Sequence, residues 1–132
     1  MKNVIVFFVV LMATFTLMSC KNEKEEKAAL YPEVKKSPEE VALTLGKEIF
    51  DGKGMCYSCH KPDQKVIGPS IAEIAKIYKE KGASITDFLT EKTGPIVDPT
   101  QYSVMKTNFA ITKNLPEEEL KALETYMLSF AK

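Results

Sequence analysis

Two cysteines and the only histidine of the chain fall within five consecutive residues, Cys56-Tyr57-Ser58-Cys59-His60. The C-x-x-C-H spacing is the attachment motif for covalently bound haem. Two thiols add across the two vinyl groups of the haem, and two intervening residues set the separation that those bonds require. The histidine directly after the second cysteine is then held beneath the iron as its proximal ligand. A redox-active thiol pair of the thioredoxin kind would need a βαβ context, and none is visible here. A disulfide between Cys56 and Cys59 would close a very small loop and contribute little. A zinc site needs four ligands, and the mature region offers three thiols or imidazoles at most.

The surrounding sequence predicts an all-α domain over residues 37–132, with four short helices packed around one haem. Ser37-Pro38-Glu39-Glu40 is a capping box with proline at the first helical position. Val41, Leu45 and Ile49 follow at helical spacing, with Gly52 or Gly54 as the stop. Ser70-Ile71-Ala72-Glu73 reads as a second capping box, opening a helix that ends near Gly82. Ser84-Ile85-Thr86-Asp87 opens a third, closed by Gly94-Pro95, and Pro116 opens the last, whose buried stripe is Leu120, Leu123, Met127 and Phe130. Helices this short bury little apolar surface, and no second cysteine pair supplies a disulfide staple. A large apolar cofactor fills that gap.

Residues 1–19 read as a lipoprotein signal peptide. Lys2 precedes an apolar run from Val4 to Leu17, 14 residues long, where a bilayer span needs about 20. Leu17-Met18-Ser19-Cys20 then resembles a lipoprotein cleavage box, so Cys20 is the expected lipidation site. The alternative is an uncleaved amino-terminal anchor, and either way the domain is exported and held at a membrane. Residues 20–36 are charged and poor in apolar groups, the composition of a flexible tether. As coil, the stretch from Lys21 to Lys36 spans roughly 20–24 Å. All 18 basic residues are lysine, balanced by 18 acidic ones, so a nucleic-acid partner has no support.

With His60 unique, a bis-histidine iron site within one chain is excluded. The domain holds three methionines, Met55, Met105 and Met127. Met55 adjoins the attachment loop, and Met127 lies on the apolar stripe of the last helix, where packing is the ordinary explanation. Met105 sits in what reads as an irregular stretch, so it is the expected sixth ligand, and the expected metal ligands are His60 and Met105.

With those residues placed, residues 40–131 resemble the class I cytochromes c, specifically the small bacterial single-haem kind. Gly46 and Phe50 match the family's first helix, and Leu123 and Tyr126 match the partner positions on its last. Ile67-Gly68-Pro69 matches the segment after the motif. The resemblance implies that Pro69 packs on the haem and that its carbonyl accepts a hydrogen bond from the proximal histidine. It also implies one covalent haem c, held through Cys56 and Cys59. The chain departs from the family in having Lys106 after Met105, where proline is common, and in having no tryptophan, so no propionate contacts are assigned. Tyr57 is expected to be a packing residue.

The function expected is single-electron transfer between respiratory redox proteins by a monomeric carrier, not an enzyme, lipid-anchored and facing the periplasm. The alternative is a haem-based small-molecule sensor or peroxidase-like enzyme with a labile Met105; a thiol oxidoreductase would bind no haem at all. Within residues 52–65, Lys53, Lys61 and Lys65 stand against Asp63 alone, and residues 100–113 carry Lys106 and Lys113 with no acid. That imbalance predicts a positive front for an acidic partner.

Overall fold

The computed structural model describes residues 36–132. The signal peptide, the lipidation site Cys20 and nearly all of the 20–36 tether therefore lie outside the described residues. Within them every regular element is helical, and the only pairing of strand type is an isolated antiparallel bridge between His60 and Lys65.

Helix α1 (Pro38–Asp51) begins at the expected capping box. The Ser37 hydroxyl accepts from Glu40 N at 3.2 Å, and Ser37 N donates to the Glu40 carboxylate at 2.6 Å. Helix α2 (Ile71–Lys81) is capped on one side only, through Ser70 Oγ and Glu73 N, and ends at Gly82 with φ 57°. A left-handed residue there stops the helix, and glycine adopts it without a Cβ penalty.

Helix α3 (Ile85–Leu89) is shorter than expected. The stop comes before Gly94-Pro95 because Glu91 takes a left-handed φ of 58°, and Lys92 N and Thr93 N turn back onto Asp87 O. The stretch that reads as irregular is also corrected. Residues 99–112 form a series of single turns: a 3-10 turn Pro99–Gln101, α4 (Tyr102–Met105), a 3-10 turn Lys106–Asn108 and α5 (Phe109–Thr112). The four expected helices are thus joined by two one-turn helices, and Met105 closes one of them. Side chains bonding to backbone hold these turns together, among them Thr107 Oγ1 to Val104 O at 2.8 Å and Thr112 Oγ1 to Leu89 O at 2.8 Å. Turns held by side-chain bonds to backbone, one local and one across 23 residues, leave no apolar periodicity in the sequence.

Helix α6 (Glu117–Leu128) carries Glu117, Glu118 and Glu119 in its first turn, where negative charge suits the helix dipole. Phe130 lies past its end, half-buried, with its ring edge-on to Tyr126 at 5.3 Å. The main packing is α1 against α6. A Cβ at Gly46 would fall on the carbonyl oxygen of Ala122 and lie 2.6 Å from Cβ of Tyr126, so the crossing is as close as backbone allows. Phe50 packs edge-on to Tyr126 at 5.6 Å, and Leu123 is fully buried. Val41, the first of the apolar residues at helical spacing in α1, is exposed. Helix α3 is tied to α6 by Glu124, whose carboxylate accepts Ile85 N at 2.6 Å and Thr86 Oγ1 at 2.7 Å. With α1, α2, α3 and α6 fixed on one another, the remaining turns close over an apolar cleft.

Candidate haem site

The attachment turn follows directly from the end of α1. Gly52 N bonds to Glu48 O at 2.8 Å and Gly54 N to Ile49 O at 2.9 Å, which ends the helix. Met55 is left-handed, at φ 52°, and opens the 3-10 turn Cys56–Ser58. Cys59 N and His60 N both donate to Cys56 O, at 3.2 and 3.0 Å. Cys56, Cys59 and His60 are thus fixed on a single turn. A Cβ at Gly54 would lie 2.7 Å from Ile49 O and 3.2 Å from Cys56 Sγ, so glycine leaves room for the first thiol. Both thiols are free, Cys56 buried and Cys59 partly so. Burial pushes the Cys56 thiol up to about 11. Reactive redox cysteines have lowered values, so this environment does not activate Cys56 as a nucleophile toward disulfides.

The chain after His60 turns back on itself. Gly68 N bonds to Cys59 O at 2.9 Å and Ile71 N to Lys61 O at 2.9 Å, bringing Pro69 beside the imidazole. His60 Nδ1 lies 2.8 Å from Pro69 O. The neutral ring therefore donates from Nδ1 and keeps the Nε2 lone pair free for a metal. Burial holds the His60 pKa below its ordinary value, opposed by the Pro69 bond, so the ring is neutral at pH 7. Gly68 is the seat of the ring: a Cβ there would strike His60 Cε1 and lie 2.8 Å from Nδ1.

His60 opens onto a cleft of about 1240 Å³, mouth included, that is walled mainly by apolar residues. Ile74 and Tyr78 of α2, Ile85, Phe88 and Leu89 of α3, and Ile96, Val97 and Tyr102 form much of the wall. Phe88, Tyr102 and Phe109 brace one another, with Phe88 and Phe109 edge-on at 5.3 Å. Cys56, Cys59, His60, Pro69 and Met105 all line this cleft, so every candidate residue of the domain comes together. Met55 and Met127 line it too. Met127 was expected to serve the core, and it does both, being 6% exposed in α6.

Three features of the site had no sequence signal. Asn108 Nδ2 donates to Gly54 O at 3.1 Å, tying the Met105 segment to the attachment loop. Lys65 Nζ meets Asp98 Oδ2 at 2.9 Å across 33 residues of chain. Tyr57, expected to pack, is exposed, with the Lys61 ammonium 5.8 Å above its ring. The signal for Gly68 was available, since a glycine between Ile67 and Pro69 marks a close backbone approach.

The expected positive front is corrected as well. Lys53 pairs with Glu119 at 2.5 Å, Lys65 with Asp98, and Lys106 and Lys113 both with Glu91. These acids are distant in sequence and are delivered by the fold.

The residues present fit haem c. Paired free thiols sit on one turn, a neutral imidazole is oriented by its Nδ1 bond, and the cleft beside them is apolar. Among the described residues no group of three or more His, Cys, Asp and Glu side chains could hold a metal ion on its own. The family model for cytochrome c matches residues 43–131. That span runs from within α1 through the attachment turn to beyond the end of α6. No curated relative matches the chain.

Proposed function

The chain belongs to the cytochrome c family, and we propose that it is a lipid-anchored single-haem carrier passing electrons between respiratory redox proteins outside the cytoplasm. Haem c, bound covalently through Cys56 and Cys59, supplies the one-electron couple of its iron. His60 is the proximal ligand in this reading, and Pro69 O fixes its ring and raises its basicity through the Nδ1 bond. Met105 is the sixth ligand. Met55 is bound to its place beside Cys56, on the attachment side, and Met127 is packed into α6. Met105 ends one of the single turns of residues 99–112 and lines the same cleft as His60. With haem bound, ligation by the Met105 thioether and the His60 imidazole would favour the ferrous state and raise the potential, as would apolar walls that exclude water.

Tethering rests on the Leu17-Met18-Ser19-Cys20 box, with Cys20 carrying the lipid and residues 20–36 giving reach. Export to the periplasmic side follows from the same segment and from haem attachment through thiols.

The observation that carries the reading is the oriented His60 in an apolar cleft shared by Cys56, Cys59 and Met105. Absorption spectra of the purified haem-loaded protein, oxidised and then reduced, test it. The expected result is a six-coordinate low-spin spectrum in both states, unchanged by carbon monoxide. A ferrous form that binds carbon monoxide readily would replace the carrier with a sensor or a haem enzyme.

A further inference from the structure

Glu124 ties helix α3 to α6 with a carboxylate that no counter-charge neutralises. Ile85 N donates to its Oε1 at 2.6 Å, and the hydroxyls of Thr86 and Ser84 donate to Oε2 at 2.7 and 3.3 Å. An amide and two hydroxyls suit an ionised carboxylate, which only accepts. The other partly buried acids among the described residues are treated differently. Asp87 pairs with Lys92, Glu91 with Lys106 and Lys113, Asp98 with Lys65, and Glu119 with Lys53. Each of these pairs cancels most of its own field at a distance. Among the described residues no lysine pairs with Glu124, so its negative charge acts unopposed.

That charge stands behind the wall of the haem cleft. Ile85, whose N–H it accepts, lines the cleft. Met127 lines it too, three residues on from Glu124 along the same face of α6. Tyr78 of α2 is a third wall residue, and its phenol is pushed up to about 12, first by burial and then by the charge of Glu124. The field of the carboxylate therefore reaches the apolar lining. Ile85 and Tyr78 are only 2% and 3% exposed, and with so little water in the layer a charge is weakened less than in bulk solvent.

We propose that Glu124 sets part of the reduction potential of the haem, holding it below the value that the axial ligands and apolar walls alone would give. Ferric haem carries one more positive charge than ferrous haem, so a fixed negative charge nearby stabilises the oxidised form. The same side chain positions α3, and chemistry separates the two roles. The proposal rests on the haem-carrier reading and adds to it a residue outside the ligand set.

Two substitutions divide charge from tie. Glu124→Gln removes the charge and keeps an oxygen for Ile85 N, while Thr86 Oγ1 retains Leu120 O as an acceptor at 3.3 Å. Glu124→Asp keeps the charge and draws it back from α3. Potentials of the haem-loaded proteins are measured at neutral pH, with guanidinium unfolding beside them. In Glu124→Gln the potential rises, the rise persists in high salt because a partly buried charge is screened little, and stability changes little. In Glu124→Asp the potential stays near that of the parent, while the unfolding midpoint falls with the lost bonds. Glu118→Gln, the same loss of charge at an exposed site in the first turn of α6, leaves the potential alone. A parental or lowered potential in Glu124→Gln overturns the proposal. So does an equal rise in Glu118→Gln, which would report net charge only, or an equal rise in Glu124→Asp, which would report a shifted wall. If Glu124→Asp does not fold, the two glutamine variants decide between themselves. The carrier reading fails separately, when the unsubstituted ferrous protein binds carbon monoxide.

Discussion

Replacing Gly68 by alanine tests how the imidazole is seated. The new Cβ would strike Cε1 of His60 and lie 2.8 Å from Nδ1 and 3.1 Å from Nε2. Neither side yields easily, because Gly68 N is bonded to Cys59 O and the ring is bonded to Pro69 O. Overpacking of this kind costs about 1–3 kcal/mol. If the ring turns away, its bond to Pro69 O is lost, a further cost of about 0.5–1.5 kcal/mol. The smaller entropy of the unfolded alanine chain returns about 0.4–1 kcal/mol. Packing wins, and the net loss is about 2 kcal/mol, a fall in melting midpoint of about 10 °C for a domain of this size. The assay is thermal and guanidinium unfolding of the haem-loaded protein, with its reduction potential measured beside it. Weakening the Nδ1 bond makes the imidazole a poorer donor, so the potential should rise. Gly46→Ala serves as the comparison: its Cβ would meet Ala122 O and Tyr126 Cβ at the α1–α6 crossing, so it should destabilise similarly with little change of potential. A Gly68→Ala protein with parental stability and potential would refute the seating of His60 on Gly68.

Met105→Ala should keep the haem attached and make the ferrous iron bind carbon monoxide; if Met127→Ala does this instead, the sixth ligand is misassigned. Replacing both Cys56 and Cys59 by alanine should abolish haem staining on denaturing gels, and surviving stain would sink covalent attachment. Cys20→Ser should release the protein from membranes or block its processing, and an unsubstituted protein that takes up no labelled fatty acid would count against the lipid anchor. The Glu91 carboxyl is held below its ordinary value, chiefly by the hydrogen bond from Lys113 and also by Lys106. A lowered native value means that the unfolded chain binds more protons, so the contribution is whole above about pH 4.5 and is lost as pH falls through the native value. Unfolding midpoints followed from pH 6 to pH 3 should fall less steeply in Glu91→Gln than in the parent; parallel curves would show that the pair adds nothing.

The sequence alone determined the attachment chemistry and the frame that carries it. Cys56, Cys59 and His60 are adjacent in the chain, and a motif closed within five residues depends only on local geometry. The caps at Ser37, Ser70 and Ser84, and the stop at Gly82, were legible for the same reason: a cap is a bond between residues three apart. The apolar stripe of α6 was legible because its period follows from the helix itself. Only the tertiary structure decided the rest. Residues 99–112 gave no periodic signal, since their single turns are held by bonds such as Thr112 to Leu89 and Asn108 to Gly54, whose partners lie far off in the chain. The charge balance around these lysines was misjudged along the sequence, because Glu91, Asp98 and Glu119 reach them only through the fold. Local spacing is printed in the order of residues. Neutralisation and cleft walls come from residues tens of positions apart, and only packing brings these within a few ångströms.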